Sequence, residues 1–322
     1  MLKKLLAGCA ALAVAFAAAA EDYPTHTVSV VVPFAPGGPT DTVTRLIGQA
    51  MSKSLGQTII VENAAGAGGT IGVEKVVRAK PDGYTLLLMH IGISTAPSLY
   101  RNLRFDPTKD LEPIGLVTNV PMTVIANKDF PPKDMKELIA YVKTHKDKVT
   151  YANAGVGAAS HLCGMLLMTA IGTDVTTVPY KGTGPALTDL MGGQVNFMCD
   201  QTTNTTPQIK GGKVKAYAVT TKERLKSLPD VPTADEAGLK GFEVTVWHGI
   251  WAPKGTPKPV IEKLVQALQA ALKDPNVVQR FAELGTEPVP QNLATPPALE
   301  AHLKSEIAKW APIIKKAGVY AD

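Results

Sequence analysis

The sequence lacks the motifs and the charge pattern of several large classes of protein. Among its 322 residues there is no His-Glu-x-x-His, no Cys-x-x-Cys and no Gly-x-Ser-x-Gly, and its six histidines are scattered. We therefore expect no metal site, no cofactor and no enzymatic activity. The formal net charge of +5 is not gathered into a basic stripe, which argues against nucleic acid as a partner.

Charged and aromatic residues are scarce, whereas small and turn-forming residues are common. Charged residues make up 19% of the chain and aromatics 6%, against 45% hydrophobic residues, 28 glycines and 25 prolines. This balance is typical of a folded globular protein with many short turns, and it excludes a largely disordered chain. The length suggests about two domains of roughly 150 residues each.

Long apolar runs are absent after the N-terminal segment. The apolar run at residues 5–20 follows Lys3 and Lys4 and ends in small residues, which is the pattern of a signal peptide cut near Ala20. The alternative is a lipoprotein box ending at Cys9, although only four residues separate Cys9 from Lys4. We expect residues 1–20 to direct export of the mature protein.

Cleavage near Ala20 leaves two cysteines, Cys163 and Cys199. We expect Cys163 on a helix and Cys199 at the end of a strand, in elements that can be neighbours in one lobe. Because export places the chain in an oxidising compartment, we expect these two residues to form a disulfide. The alternative is that both are separate buried thiols, which behave as small apolar residues.

Strand and helix patterns alternate twice along the chain. Residues 28–89 contain three buried-strand patterns separated by two helical ones, and the alternation returns between residues 134 and 199. It predicts an α/β protein with two lobes, each a mostly parallel sheet flanked by helices. The long helical patterns after residue 257 have no sheet of their own, so we assign them to the first lobe. The predicted lobes are residues 21–122 with 241–322, and residues 123–240, joined by two chain crossings that form a hinge.

One loop in each predicted lobe joins a strand to a helix through glycines. The first is residues 33–41 and the second is residues 153–161. The free N–H groups at a helix start attract carboxylates and phosphates. The alternative is a plain turn before a helix that Thr40 or Asp41 caps, and the charge of Asp41 competes with a bound anion. The expected ligand contacts in these loops are Phe34, Ala35, Pro36, Gly37, Gly38, Asp41, Asn153, Gly155, Val156, Gly157, Ser160 and His161.

Three further residues lie at the ends of predicted strands. His90 and Ser94 follow the third strand, and Asp200 follows the strand that ends at Cys199. The carboxyl ends of parallel strands are where open α/β sheets bind ligands, so we expect all three to contact the ligand. The alternatives are that His90 is a structural histidine and that Asp200 caps the next turn instead of meeting a ligand amine.

A set of short segments, in order along nearly the whole mature chain, is similar to one family. These segments resemble the extracytoplasmic solute receptors of tripartite tricarboxylate transporters, the Bug proteins. The matching segments are residues 33–41, 63–72, 79–85, 178–182, 190–195 and 251–257.

The resemblance implies a two-lobed periplasmic binding protein, the Venus flytrap fold. It implies capture of a small carboxylate or related organic solute and delivery to a cognate membrane permease. In this family the two loops hold a ligand carboxylate like pincers, partly through water. Ala158 stands where the family often has Ser, while Ser160 is retained.

Two other functions are compatible with the sequence. The loaded receptor can act as a sensor that feeds a membrane kinase. A secreted α/β hydrolase would use Ser160 or His161, although adjacent residues on a helix diverge. We expect a monomer that binds one small organic acid.

Overall fold

The computed structural model describes residues 23–321. The predicted signal peptide, its cleavage site and Cys9 therefore lie outside the described residues. Within them, nine strands join in one sheet. The strands are β1 (Val28–Val32), β2 (Ile59–Asn63), β3 (Thr85–His90), β4 (Leu111–Asn127), β5 (Thr150–Asn153), β6 (Thr176–Pro179), β7 (Phe197–Gln201), β8 (Val214–Val219) and β9 (Thr245–Pro253).

Helices connect and flank these strands. A short 3-10 turn, Ala67–Gly69, precedes the second of them. The helices are α1 (Pro39–Leu55), α2 (Thr70–Val77), α3 (Gly92–Leu99), α4 (Met135–His145), α5 (Ala159–Ile171), α6 (Thr183–Met191), α7 (Thr202–Lys210), α8 (Lys258–Ala271), α9 (Pro275–Glu283) and α10 (Pro296–Ala317).

Two groups of parallel strands lie at opposite ends of the sheet. The strand order is β2-β1-β3-β9-β4-β7-β5-β6, with β8 paired to β4 beside this path. Strands β1, β2 and β3 are parallel, as are β5, β6 and β7, whereas β9 and β4 run antiparallel to their neighbours. The predicted α/β architecture with parallel strands is confirmed, and the antiparallel pair β4–β9 joins the two groups.

The sequence patterns missed the long strand β4. Its sequence contains Pro113, Gly115 and Pro121, which break the alternation expected of a strand. The pairing with β9 shifts register near Pro113 and again after Leu116. Bulges at these two positions allow β4 to continue through Pro113 and Gly115. The predicted lobe boundary at residue 122 falls inside this strand.

The C-terminal helices pack on elements of the first strand group. Helix α8 lies against α1 and β4, and α10 lies against α3 and β4. Their buried residues, such as Leu264 and Trp310, join the largest apolar cluster of the molecule. Among residues 23–321, no helix is both long and apolar enough to span a bilayer.

The predicted disulfide is confirmed. Cys163 of α5 and Cys199 of β7 are bonded, with their Cα atoms 6.1 Å apart. The bond ties the helix that follows the second loop to the strand that ends at Asp200 and Gln201.

Candidate functional site

The first loop leaves the helix start of α1 open. The N-cap is Gly38, with Pro39 at the first helical position and no side-chain cap, so the alternative of a helix capped by Thr40 or Asp41 is wrong. Asp41 instead accepts a hydrogen bond from the Gly37 N–H at 3.1 Å. Gly37 has a φ of +80°, which a residue with a side chain rarely adopts. The loop conformation therefore depends on this glycine.

The second loop also joins a strand to a helix through glycines, but its polar side chains form hydrogen bonds within the loop. The Ser160 Oγ accepts from the Ala154 N–H at 2.9 Å, and the Asn153 Oδ1 accepts from the Gly155 N–H at 2.8 Å. The Gly157 N–H donates to the Nδ1 of His161 at 3.3 Å. Helix α5 then starts after Ala158 without a side-chain cap.

A small buried cavity lies where the two loops approach each other. Its volume is about 10 Å³, enough for roughly one water molecule. Every residue that lines it is buried. The lining residues are Phe34, Gly38, Pro39, Thr40, His90, Ala154, Ala159, Ser160, Thr183, Asp200 and Gln201.

Four helices start at the walls of this cavity. They are α1, α5, α6 and α7, and none of them has a side-chain N-cap. The first N–H groups of each helix have no partner inside the helix, and the helix dipole places partial positive charge there. The cavity is thus surrounded by groups that favour an anion.

Segments on opposite sides of the cavity touch directly. The Ala35 N–H donates to the Lys181 carbonyl at 2.9 Å, and the Tyr100 hydroxyl donates to the Val156 carbonyl at 2.9 Å. A Cβ at Gly68 would lie 2.0 Å from the Val156 oxygen. A ligand larger than a water molecule therefore enters only when these segments separate.

His90 presents a neutral imidazole to the cavity. Burial lowers the pKa of His90 to about 4. Its Nδ1 accepts from the Gly92 N–H at 3.0 Å, so the neutral ring carries its proton on Nε2. The ring stacks on Phe34 with 4.7 Å between centroids. His90 can therefore donate one hydrogen bond without adding charge. His248, also buried, contacts it from β9, and burial followed by the proximity of His90 holds the pKa of His248 well below its usual value.

Asp200 is the acidic residue of the cavity wall. Its side chain is 1% exposed, and burial raises its pKa to about 6 against the opposing hydrogen bonds from Asn204, the Gln201 backbone and Thr183. The Oδ2 accepts from the Asn204 Nδ2 at 2.6 Å. The Oδ1 has no hydrogen-bond partner among the described residues, and neither has the Oε1 of the adjacent Gln201.

Comparison with known proteins identifies the family. The sequence model described as "Tripartite tricarboxylate transporter family receptor" matches residues 43–319. The chain belongs to this family. A UPF0065 protein of Agrobacterium vitis, from the TAR-I ttuE-ttuC' intergenic region, is 55% identical over 302 residues, which cover 94% of this chain and 87% of that protein.

Two solved structures show that the receptor has the periplasmic binding protein fold with two domains. The periplasmic binding protein BugD is 59% identical, with a TM-score of 0.90 over 92% of this chain and 99% of BugD. MatC from Rhodopseudomonas palustris, solved with bound malate, is 45% identical, with a TM-score of 0.87 over 91% of this chain and 100% of MatC. The predicted family and fold are confirmed.

The structure of the receptor brings together five of the residues expected to contact a ligand. They line the cavity and are Phe34, Gly38, His90, Ser160 and Asp200. The Ser94 Oγ instead donates to the Ile91 carbonyl at 2.6 Å. The expected residues outside the cavity lining are Ala35, Pro36, Gly37, Asp41, Ser94, Asn153, Gly155, Val156, Gly157 and His161.

Several cavity residues of the receptor were missed from sequence. The most informative are Thr40, Thr183 and Gln201. Thr183 directly follows the segment 178–182 and begins a helix after Gly182, as Pro39 does after Gly38. That repeated signal, a glycine before a helix, was available in the sequence. Within residues 23–321, no group of three or more His, Cys, Asp or Glu residues is arranged to hold a metal ion.

Proposed function

We propose that the protein captures a small carboxylate in the cavity between the two loops and delivers it to a membrane permease without transforming it. The observation that carries the proposal is the meeting of four uncapped helix starts at one buried cavity. Among the described residues that line the cavity there is neither lysine nor arginine. Backbone N–H groups, hydroxyls and His90 are therefore the groups that would bind the anion.

The energy available from such groups suffices for useful affinity. A hydrogen bond to a charged group contributes about 1.5–3 kcal/mol, and micromolar binding requires about 8 kcal/mol. A few helix-end N–H groups together with His90 reach this range. The bound malate of MatC is consistent with a carboxylate ligand.

The mechanism includes opening and closing. We propose that residues 21–122 with 241–322 form one lobe, that residues 123–240 form the other, and that the lobes rotate about β4 and β9. Support comes from the direct contacts across the cavity and from its small volume. We further propose that residues 1–20 are a signal peptide that places the receptor in the periplasm.

A hydrolytic function has less support. The Ser160 Oγ accepts from the Ala154 N–H, and the His161 Nδ1 accepts from the Gly157 N–H. The described residues contain no hydrogen bond between Ser160 and His161 that would make a nucleophile and base pair.

Calorimetry tests the proposed function. We expect purified protein to bind at least one compound in a panel of mono-, di- and tricarboxylates with one-to-one stoichiometry and a micromolar or lower Kd, and to leave that compound chemically unchanged. A panel without a single binder, or conversion of a ligand by the protein, would contradict the proposal.

A matched pair of glycine variants tests closure. In Gly68→Ala the new Cβ would lie 2.0 Å from the Val156 oxygen, whereas at Gly56, which has a similar φ of +68°, a Cβ meets nothing within 4 Å. We expect Gly68→Ala to weaken binding at least about tenfold, equivalent to about 1.4 kcal/mol, and Gly56→Ala to bind like the wild type. Equal affinities of the two variants would show that these segments need not meet around the ligand.

A further inference from the structure

Two successive carbonyl groups of the second loop accept hydrogen bonds from side chains of the other proposed lobe. The Val156 carbonyl accepts from the Tyr100 hydroxyl at 2.9 Å, and the Gly157 carbonyl accepts from the Thr95 hydroxyl at 3.3 Å. The Thr95 hydroxyl also donates to the Gly92 carbonyl of its own helix, α3, at 3.0 Å. Of the two contacts between the lobes, the one from Tyr100 is therefore the shorter and the better formed.

Glycines of the same lobe make room for these two carbonyls. A Cβ at Gly68 would collide with the Val156 oxygen and would lie 2.7 Å from the Tyr100 hydroxyl. A Cβ at Gly92 would lie 3.0 Å from the Gly157 oxygen. The second loop can therefore approach this closely only because both positions lack a side chain. We use the word clasp for this set of residues, which are Gly68, Gly92, Thr95, Tyr100, Val156 and Gly157.

The clasp lies beside the cavity and not in its walls. Among the described cavity-lining residues there is none of the six clasp residues. Tyr100 and Val156 are half-buried, whereas every residue that lines the cavity is buried. Since the donors and acceptors of the clasp contact each other, their hydrogen bonds are the same whichever solute occupies the cavity.

The clasp forms in the closed arrangement of the lobes and is lost when they separate. Tyr100 and Thr95 belong to the proposed lobe of residues 21–122 and 241–322, whereas the two carbonyls belong to residues 123–240. An interaction that one of two states makes shifts the equilibrium towards that state. Because the clasp closes after the solute has entered, its loss should accelerate dissociation and leave association nearly unchanged.

We propose that Tyr100 is a positioning residue that, through the clasp, sets how long the closed receptor retains its solute without selecting that solute. The inference rests on the proposed function, because it assumes that a solute is captured between the same two lobes. It means that affinity and selectivity reside in different parts of the molecule. Release to a permease then requires that the clasp is broken in every cycle.

Tyr100→Phe tests the inference, because it removes the hydroxyl and keeps the ring. The panel is malate, succinate, glutarate, adipate and citrate. We expect the variant to bind each compound that the wild type binds about three- to tenfold more weakly, measured by calorimetry. The factor should be the same for each compound, and stopped-flow measurements should assign it to the dissociation rate.

Tyr217→Phe is the matched control. The Tyr217 hydroxyl also donates to a backbone carbonyl, that of Pro132, at 2.9 Å. Both of these residues lie in the proposed lobe of residues 123–240, so their hydrogen bond does not depend on closure. We expect this variant to keep the affinities and dissociation rates of the wild type. A general loss of stability on removal of a tyrosine hydroxyl would affect both variants.

Hydrogen exchange of the Ala35 amide tests the clasp without any solute. The Ala35 N–H donates to the Lys181 carbonyl at 2.9 Å, which is another contact between the proposed lobes. An amide in such a contact exchanges when the lobes separate. We expect it to exchange at least about threefold faster in Tyr100→Phe than in the wild type or in Tyr217→Phe, measured by NMR.

The outcomes separate this inference from the proposed function. Equal affinities of Tyr100→Phe and the wild type, or equal exchange of the Ala35 amide in the two proteins, would overturn the inference and leave the proposed receptor intact. A loss of affinity that differed between compounds would also overturn it, because Tyr100 would then select the solute, and so would a loss confined to the association rate. If the wild type bound no compound of this panel or of the wider carboxylate panel, the proposed function would fail. The exchange of Ala35 would then decide alone whether the clasp holds the lobes together.

Discussion

Two buried aspartates near the cavity differ in how their charge is compensated. Asp41 is 4% exposed and Asp200 is 1% exposed. The carboxylate of Asp41 receives hydrogen bonds from Arg45, from Asn63 and from the Gly37 N–H. The Oδ2 of Asp200 accepts a hydrogen bond from the Asn204 amide, whereas its Oδ1 has no hydrogen-bond partner among the described residues. Two carboxylates of similarly low exposure therefore differ in how many hydrogen bonds they accept.

The opposite pKa shifts of the two residues follow from the deeper burial of Asp200 and from the stronger hydrogen bonding of Asp41. Burial by itself raises the pKa of Asp41, but the hydrogen bonds from Arg45, Asn63 and Gly37 outweigh it and lower the pKa. For Asp200 burial dominates, and the pKa rises to about 6. The carboxylate of Asp41 stabilises the conformation of the first loop. The carboxyl of Asp200 is buried with a raised pKa, and such perturbed pKa values cluster at functional sites.

The largest change in stability that we expect comes from removal of the Cys163–Cys199 disulfide next to Asp200. The disulfide that precedes it closes a loop with a sequence separation of 36 residues, which the chain-entropy model equates with about 4 kcal/mol. The double variant Cys163→Ala, Cys199→Ala should therefore lose about 2–4 kcal/mol of unfolding free energy, measured by urea denaturation. Reduced wild-type protein is the control and should lose a similar amount. A loss below about 1 kcal/mol in both samples would contradict a stabilising role of this disulfide.

Unfolding as a function of pH sharpens the contrast between the two aspartates. Since the folded-state pKa of Asp200 is raised to about 6, the native protein binds more protons than the unfolded chain between about pH 4 and pH 6. Asp200 therefore lowers the stability of the ligand-free protein as the pH rises through this window. Above about pH 6, this loss of unfolding free energy reaches about 3 kcal/mol.

Asp200→Asn removes this titration. We expect the ligand-free variant to be more stable than the wild type by up to about 3 kcal/mol at pH 7.5. The two proteins should converge below about pH 4, where Asp200 is protonated in both the native and the unfolded wild type. Urea denaturation across the pH range measures the difference. A variant that is less stable than the wild type at pH 7.5 would mean that Asp200 is compensated in the native protein.

Sequence patterns could predict the parts of the site that depend on local structure. Both loops were found because a strand, glycines and a helix follow one another within about ten residues. Asp200 was found because it follows the predicted strand that ends at Cys199, although the structure extends that strand, β7, to Gln201 and places Asp200 within it. The contribution of Thr183 depends on the approach of the start of α6 to Gly38, where an added Cβ would lie 3.7 Å from the Thr183 hydroxyl. The order of residues alone does not reveal that proximity.

The partners of Asp41 could also be predicted only in part from the sequence. Its negative charge suggested competition with a bound anion, and Arg45 four residues later was a visible partner on the same helix face. Asn63 at the end of β2 was not visible as a partner, because its hydrogen bond to Asp41 depends on the parallel pairing of β1 with β2. Long-range pairing of strands decides which acid is compensated.

A smaller effect is expected for the compensated acid. Asp41→Asn weakens the charged hydrogen bonds to Asn63, Arg45 and Gly37, and we expect a loss of about 1–2 kcal/mol of unfolding free energy at neutral pH. Because the native pKa of Asp41 is lowered, this carboxylate stabilises the protein at neutral pH, and its contribution disappears as acidification protonates it. The difference between wild type and variant should therefore shrink in acid, as for Asp200→Asn, but with the opposite sign of stability change.

Arg45→Gln separates the ion pair from the buried hydrogen bonds. The side chain of Arg45 is 54% exposed, and an exposed ion pair contributes about 0–1 kcal/mol. We therefore expect Arg45→Gln to destabilise the protein less than Asp41→Asn, when both are measured by urea denaturation at neutral pH. If the two substitutions had equal effects, the surface ion pair would be the main stabiliser of the first loop. The difference in charge compensation between Asp41 and Asp200 would then be due to the ion pair with Arg45 alone.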